Sequence, residues 1–211
     1  MKSFETVSLN SKQFERELSD FRNLLDSSDQ LDERKTILPF FRTRKQLCSF
    51  IGAFYVELNN AFEISFEKPL TGDFKSDLIV GDAISKKFLF VEFESAKPNS
   101  IFETRNSRYY KKWSTSIEKA YSQFVDWFWK IERMKRSNDL YDFFGNDLID
   151  YLGLLVIGRD KFFTDKSDEE RFIWRRENFE LNGKRIFCVT YDQLYKILSQ
   201  RLESLKLIGK E

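Results

Sequence analysis

The chain has 211 residues, with 35 basic against 34 acidic side chains and a net charge of +1, so it suits one sizeable domain, and any nucleic-acid surface must come from local clustering of basic residues. It contains no histidine, which excludes imidazole-based triads and His-ligated metals and leaves carboxylates, lysine, hydroxyls or an oxygen-bound hard metal for hydrolytic chemistry. Cys48 and Cys188 are too few and too distant for a disulfide framework or a zinc site, and neither a membrane-length apolar run nor a signal-like N-terminus is present, so a cytoplasmic protein with no membrane partner is expected.

Phe14, Leu18, Phe21, Leu24 and Leu25 recur at helical spacing and predict a helix over 11–27. A short helical piece is expected to stop at Pro39, and a second helix covers "RTRKQLCSFIGAFYVELNN". The period then changes to two in "AFEISFEK", a strand, followed by turn chemistry from Pro69 to Asp73. "FKSDLIV" and "KFLFVEFE" are the next two strands. A long helix is expected over 107–135, with Trp113, Ile117, Ala120, Phe124, Phe128, Ile131 and Met134 as its apolar stripe. Trp127 and Trp129 cannot both lie on that face. "LGLLVIG" reads as a strand buried on both faces, and a helix opens at Ser167 with "SDEE". "RIFCV" is a further strand, and Thr190-x-x-Gln193 forms a capping box for a last helix. Helices on both faces of a mixed central sheet are the expected packing.

The strand pair carries the candidate chemistry. Glu92 and Glu94 are two residues apart and face the same side, and the neighbouring strand carries Asp77. Like charges so placed are destabilising unless compensated, most simply by a cation, although a solvated or salt-bridged sheet face is the plainer alternative. Hydrolysis of a phosphodiester calls for a metal, and Mg²⁺ typically takes one or two carboxylates, which Asp77 and Glu92 can supply. The residue two positions after the second acid lies where it can orient or deprotonate a water.

The order of elements, with Asp77 as first acid and Glu92-Phe93-Glu94 as second acid and third position, resembles the PD-(D/E)XK nuclease superfamily over roughly residues 42–157. Ser76 stands where that motif has proline, and Glu94 stands where lysine is usual. A narrower resemblance rests on "VEFESAK", "AYSQFVDWFW" and the stretch from "LGLLVIGRDKFF" to "CVTYDQLYKIL". These look like the nuclease domain of Shedu anti-phage proteins, with their acidic strand end, Q-x-x-D-W helix, GR strand end and closing TYD-x-L. The resemblance implies an α/β, PD-(D/E)XK nuclease-like sheet flanked by helices, with an N-terminal helical extension (1–40) before the nuclease domain (41–211). It also implies a DNA endonuclease in bacterial defence that uses Mg²⁺ or Mn²⁺ and forms a homo-oligomer.

On that reading Asp77, Glu92 and Glu94 bind metal, Glu94 doubles as base, and Lys97 or Gln123 steadies water or phosphate. Glu57 is a further candidate acid. "ETRNSRYYKKW" offers Arg105, Arg108, Lys111 and Lys112 interleaved with tyrosines as a DNA surface, since cations neutralise phosphate while tyrosine stacks on an exposed base. A solvated helix start is its plain alternative. Arg159 either contacts phosphate or caps charge, and Arg171, Arg175 and Arg176 are expected to pair with the acidic first turn of their own helix. A non-catalytic module of the same fold, binding DNA or a protein partner, is the rival to the endonuclease.

Overall fold

The computed structural model describes residues 4–56, 58, 63–71, 74–103 and 111–208. The expected Glu57 and the basic Arg105 and Arg108 lie outside these residues. Nine strands and seven helices are present among them: β1 (Glu5–Thr6), α1 (Ser11–Ser27), α2 (Leu38–Arg42), α3 (Lys45–Ile51), β2 (Glu63–Thr71), β3 (Phe74–Asp82), β4 (Lys87–Phe93), β5 (Phe102–Glu103), β6 (Lys112–Trp113), α4 (Thr115–Met134), α5 (Asp139–Phe144), β7 (Asp150–Val156), α6 (Lys166–Asn178), β8 (Glu180–Leu181), β9 (Lys184–Val189) and α7 (Tyr191–Ile208).

A seven-stranded mixed sheet, ordered β1-β2-β3-β4-β7-β9-β8, forms the centre. β1, β2, β3 and β4 pair in succession antiparallel to one another, β4, β7 and β9 are mutually parallel, and β8 folds back on β9. The period of two sorts β3 and β4 onto two cores. Leu78, Val80, Leu89, Val91 and Phe93 face α1, α2, α3 and α7, whereas Ile79, Phe88 and Phe90 face α4 and α5. The aromatic-rich composition fills both layers: Phe14 stacks on Phe50 at 3.8 Å and Phe41 on Phe93 at 4.4 Å, while Phe124 meets Trp127 edge-on at 5.1 Å. The N-terminal helices share the first of these cores with the sheet and with α7.

Several boundaries moved for identifiable reasons. Pro39 opens α2, because proline is tolerated in the first helical turn, and a π-helical turn at Glu33–Ile37 precedes it. β2 runs through Pro69 to Thr71, with a register shift where turn chemistry was expected. The long helix begins at Thr115, capped by the Ser114 hydroxyl, and Trp113 belongs to a short hairpin stacked on Phe102 at 4.6 Å. Asp165, not Ser167, caps α6 by accepting from the Asp168 N–H. Trp127 is buried and Trp129 exposed, as one helix face requires.

Candidate active site

Continued by one step, the register that pairs Leu78 with Val91 sets Asp77 opposite Glu92, just past the last β3–β4 pair, while β3 still runs beside β2 and Glu92 still pairs with Leu155 of β7. Asp77 accepts a hydrogen bond from the Phe93 N–H at 2.8 Å, and the neighbouring Glu92 carboxyl partly offsets the rise in its pKa. Burial raises the pKa of Asp77, with Glu33 and Glu67 adding to the rise while the Phe93 N–H opposes it. Burial also drives Glu92 well above the carboxylate range, and Asp77, Glu94 and Glu33 push it further. Glu94, just past β4, is pushed up to about 7 by burial and by Glu33 and Asp77.

Two of these acids were not singled out from the sequence. Glu33 reaches the site because Leu31 and Ala96 form an isolated antiparallel bridge beside β4, and the Ser95 hydroxyl then accepts from the Glu33 N–H at 3.2 Å. Glu67 lies on β2 between the residues that pair with Leu78 and Ser76, in a left-handed conformation (φ 47°), and pairs with Arg42 at 2.8 Å.

The opposite wall is α4. Gln123 hydrogen-bonds Glu92, and Lys119, one turn earlier on the same face, lowers the pKa of Glu94. The close approach of this helix depends on Gly153 of β7, where an added Cβ would lie 2.8 Å from the Phe124 ring, next to Gln123. Gly153→Ala should therefore cost about 1–3 kcal/mol through overpacking and displace Gln123, a loss that chemical denaturation would measure. An unchanged midpoint would show that α4 rides higher than this.

Lys97 stands at the rim. Its ammonium pairs with Asp32 at 3.2 Å and lies close enough to Glu33 to lower that residue's pKa, which burial otherwise raises. Lys111 is neutralised by Asp168, and its carbonyl accepts from Arg171, so among the expected basic residues Lys112 is left on β6 without an ion pair among the described residues. Arg159 is committed elsewhere. Buried to 5% exposure, it makes a bidentate fork to Asp192 at 2.9–3.0 Å and donates to the Leu25 and Ser28 carbonyls, so it is a clamp and not a phosphate contact. Arg175 pairs with Glu118 of α4, not with its own helix, and Arg176 reaches Glu177 and Gln193.

The closing "TYD" supports the site from below. Thr190 donates to Asp160 and caps α7 through the Gln193 N–H, Tyr191 donates to the Glu94 carbonyl at 2.8 Å, and Asp192 receives Arg159. The "GR" and "TYD" signatures are thus two halves of one buttress.

Asp77 and Glu92 offer hard oxygen donors whose charged forms burial disfavours, and a divalent cation beside them would favour those charged forms. Among the described residues no group of three acids is arranged to hold an ion. The donor set that fits is the pair, and Glu94 stands beside it.

The sequence profile of a family described as Shedu protein SduA, C-terminal, matches residues 30–195, a span from just before Glu33 to just beyond the buttress. A search of curated proteins finds no match to the chain. No helix among the described residues is long and apolar enough to cross a membrane.

Proposed function

The chain belongs to the Shedu family, which suggests anti-phage defence, and on that premise we propose that it is a metal-dependent DNA endonuclease. The Asp77–Glu92 pair carries this reading: a half-buried Asp77 and a buried Glu92 opposed across adjacent strands where β3–β4 pairing ends, both held above the usual carboxylate range by burial, with Asp77 raising Glu92 further. The β2–β3–β4 meander, α4 and the parallel β7 support a PD-(D/E)XK-type core, with the acids on its second and third strands.

Asp77 and Glu92 would hold Mg²⁺ or Mn²⁺, which when bound polarises a phosphoryl oxygen and favours a nucleophilic water. Gln123 fixes the Glu92 carboxyl. Glu94, poised near neutrality, takes the proton from the attacking water, because a base works best with a pKa near the working pH. Lys119 favours the charged form of Glu94 from the facing helix. Lys112, on the hairpin leading into α4, supplies positive charge for the DNA strand. Assembly as a homo-oligomer belongs to the same reading.

A second reading, a non-catalytic module that binds DNA or a protein through this face, is favoured by Glu94 in the place of lysine and by the lack of a three-acid metal group among the described residues. Melting curves with millimolar Mn²⁺ separate the two. At 10- to 100-fold above Kd, a bound ion stabilises by about 1.4–2.7 kcal/mol, or roughly 3–10 °C for a chain of this size. Cleavage assays on plasmid and linear DNA with Mg²⁺ or Mn²⁺ complete the test. A melt insensitive to metal, with and without DNA, together with no cleavage, would establish the second reading.

A further inference from the structure

α6 buries Phe172 and leaves Trp174 69% exposed, an indole in water on an otherwise polar helix. Trp174 forms one wall of a cavity of about 480 Å³ completed by Trp113, Arg171, Arg175 and Phe179. Its floor is packed: Trp113 is stacked on Phe102, and Arg175 lies 4.6 Å from the Trp113 ring and 4.2 Å from the Tyr121 ring. Glu118 neutralises Arg175 through hydrogen bonds of 2.7 and 3.2 Å. Arg171 is different. It sits 4.8 Å from the Phe102 ring and 5.3 Å from Trp113, gives one N–H to the Lys111 carbonyl, and has no carboxylate partner among the described residues.

We propose that this pocket between β6 and α6 stacks an unpaired base of a nucleic-acid strand, with Arg171 at the adjoining phosphate; the inference rests on reading the chain as acting on DNA. Aromatic walls with a guanidinium at the edge that has no carboxylate partner among the described residues match a planar π-system that carries a negative charge. An apolar side chain from a protein would fill the walls and leave the guanidinium desolvated without a partner. A base in a duplex has both faces covered by its neighbours, so the occupant is unpaired. The cavity falls within the roughly 300–1,000 Å³ typical of small-molecule sites.

The test uses the full chain in EDTA, where no cleavage intervenes. Labelled oligothymidylate of about 15 nucleotides and a blunt duplex of equal length are titrated by fluorescence anisotropy. The single strand should bind more tightly than the duplex and quench tryptophan emission. Trp174→Ala should weaken strand binding about 5-fold or more, Trp174→Phe should retain most of it, and neither should alter the circular dichroism of this exposed position. Equal strand affinity in Trp174→Ala, or no preference for the strand, overturns the proposal. A change in sedimenting mass on Trp174→Ala overturns it too, by showing that a second copy covers the pocket. If Trp174-dependent strand binding holds while no metal supports cleavage, the nuclease reading alone fails.

Discussion

Asp77→Asn and Glu92→Gln are each expected to lower metal-dependent cleavage by at least about 100-fold while leaving the fold intact. Both replacements are nearly isosteric and remove a charge that burial already disfavours. The same variants have a second signature in stability. Asp77, Glu92 and Glu94 have folded-state pKa values raised above those of the unfolded chain, so the native state binds more protons through that interval. Their stabilising contribution is fully present below the ordinary carboxylate range and is lost as pH rises toward about 7, the level Glu94 reaches. Without metal, the wild-type melting temperature should therefore fall between pH 5 and 8, a range on the order of that interval. Asp77→Asn and Glu92→Gln should flatten the fall and raise the melting temperature at the alkaline end. Saturating Mn²⁺ should flatten it in the wild type, since the ion favours the charged carboxylates. Cleavage at wild-type rates in Glu92→Gln would remove that residue from the site, and a melting temperature that climbs from pH 5 to 8 would contradict the raised pKa values.

Arg159→Ala should be among the most destabilising single changes in the chain, at about 3 kcal/mol or more. It leaves Asp192 without its fork and orphans the Leu25 and Ser28 carbonyls at the end of α1. For a domain of this size that is a drop of roughly 6–12 °C. Arg159→Lys should recover little, because a point charge cannot span the bidentate carboxylate and two carbonyls at once. Differential scanning calorimetry at pH 7 or so decides it. A drop below about 2 °C would return Arg159 to the surface and to phosphate binding.

Those two predictions divide along what the sequence made readable. Asp77, Glu92 and Glu94 could be picked out because a strand's period of two is local, and a like-charged pair on one face stands out without knowing the neighbours. Gln123 stands out only through the resemblance of its helix motif, with a structural helix-to-sheet hydrogen bond as the equal alternative, and from α4 it lowers the pKa of Glu92. Glu33 could not be found this way, since its position depends on a bridge between Leu31 and Ala96, far apart in the chain. Sequence left Arg159 open between a phosphate contact and a charge cap for a similar reason, because its partner Asp192 lies 33 residues on and its two carbonyls more than 130 residues back. α5 carries too short a pattern to register, and Pro39 reads as a stop in isolation although its place in the first turn of α2 makes it a start.

The buttress under the acids also bears on when, during synthesis, the site first exists. Glu33, Asp77, Glu92 and Glu94 leave the ribosome well before Tyr191 and Asp192, yet α1 packs against α7, the Glu94 carbonyl is held by Tyr191, and the α1 end is joined to Asp192 through Arg159. Chains translate at roughly 5–20 residues per second and fold as their units emerge. For several seconds the nascent polypeptide therefore carries every acid of the site without the support that gathers them. The four acids and their support coexist only once α7 has been made, and a message cut short before Tyr191 yields a product with the acids but no buttress.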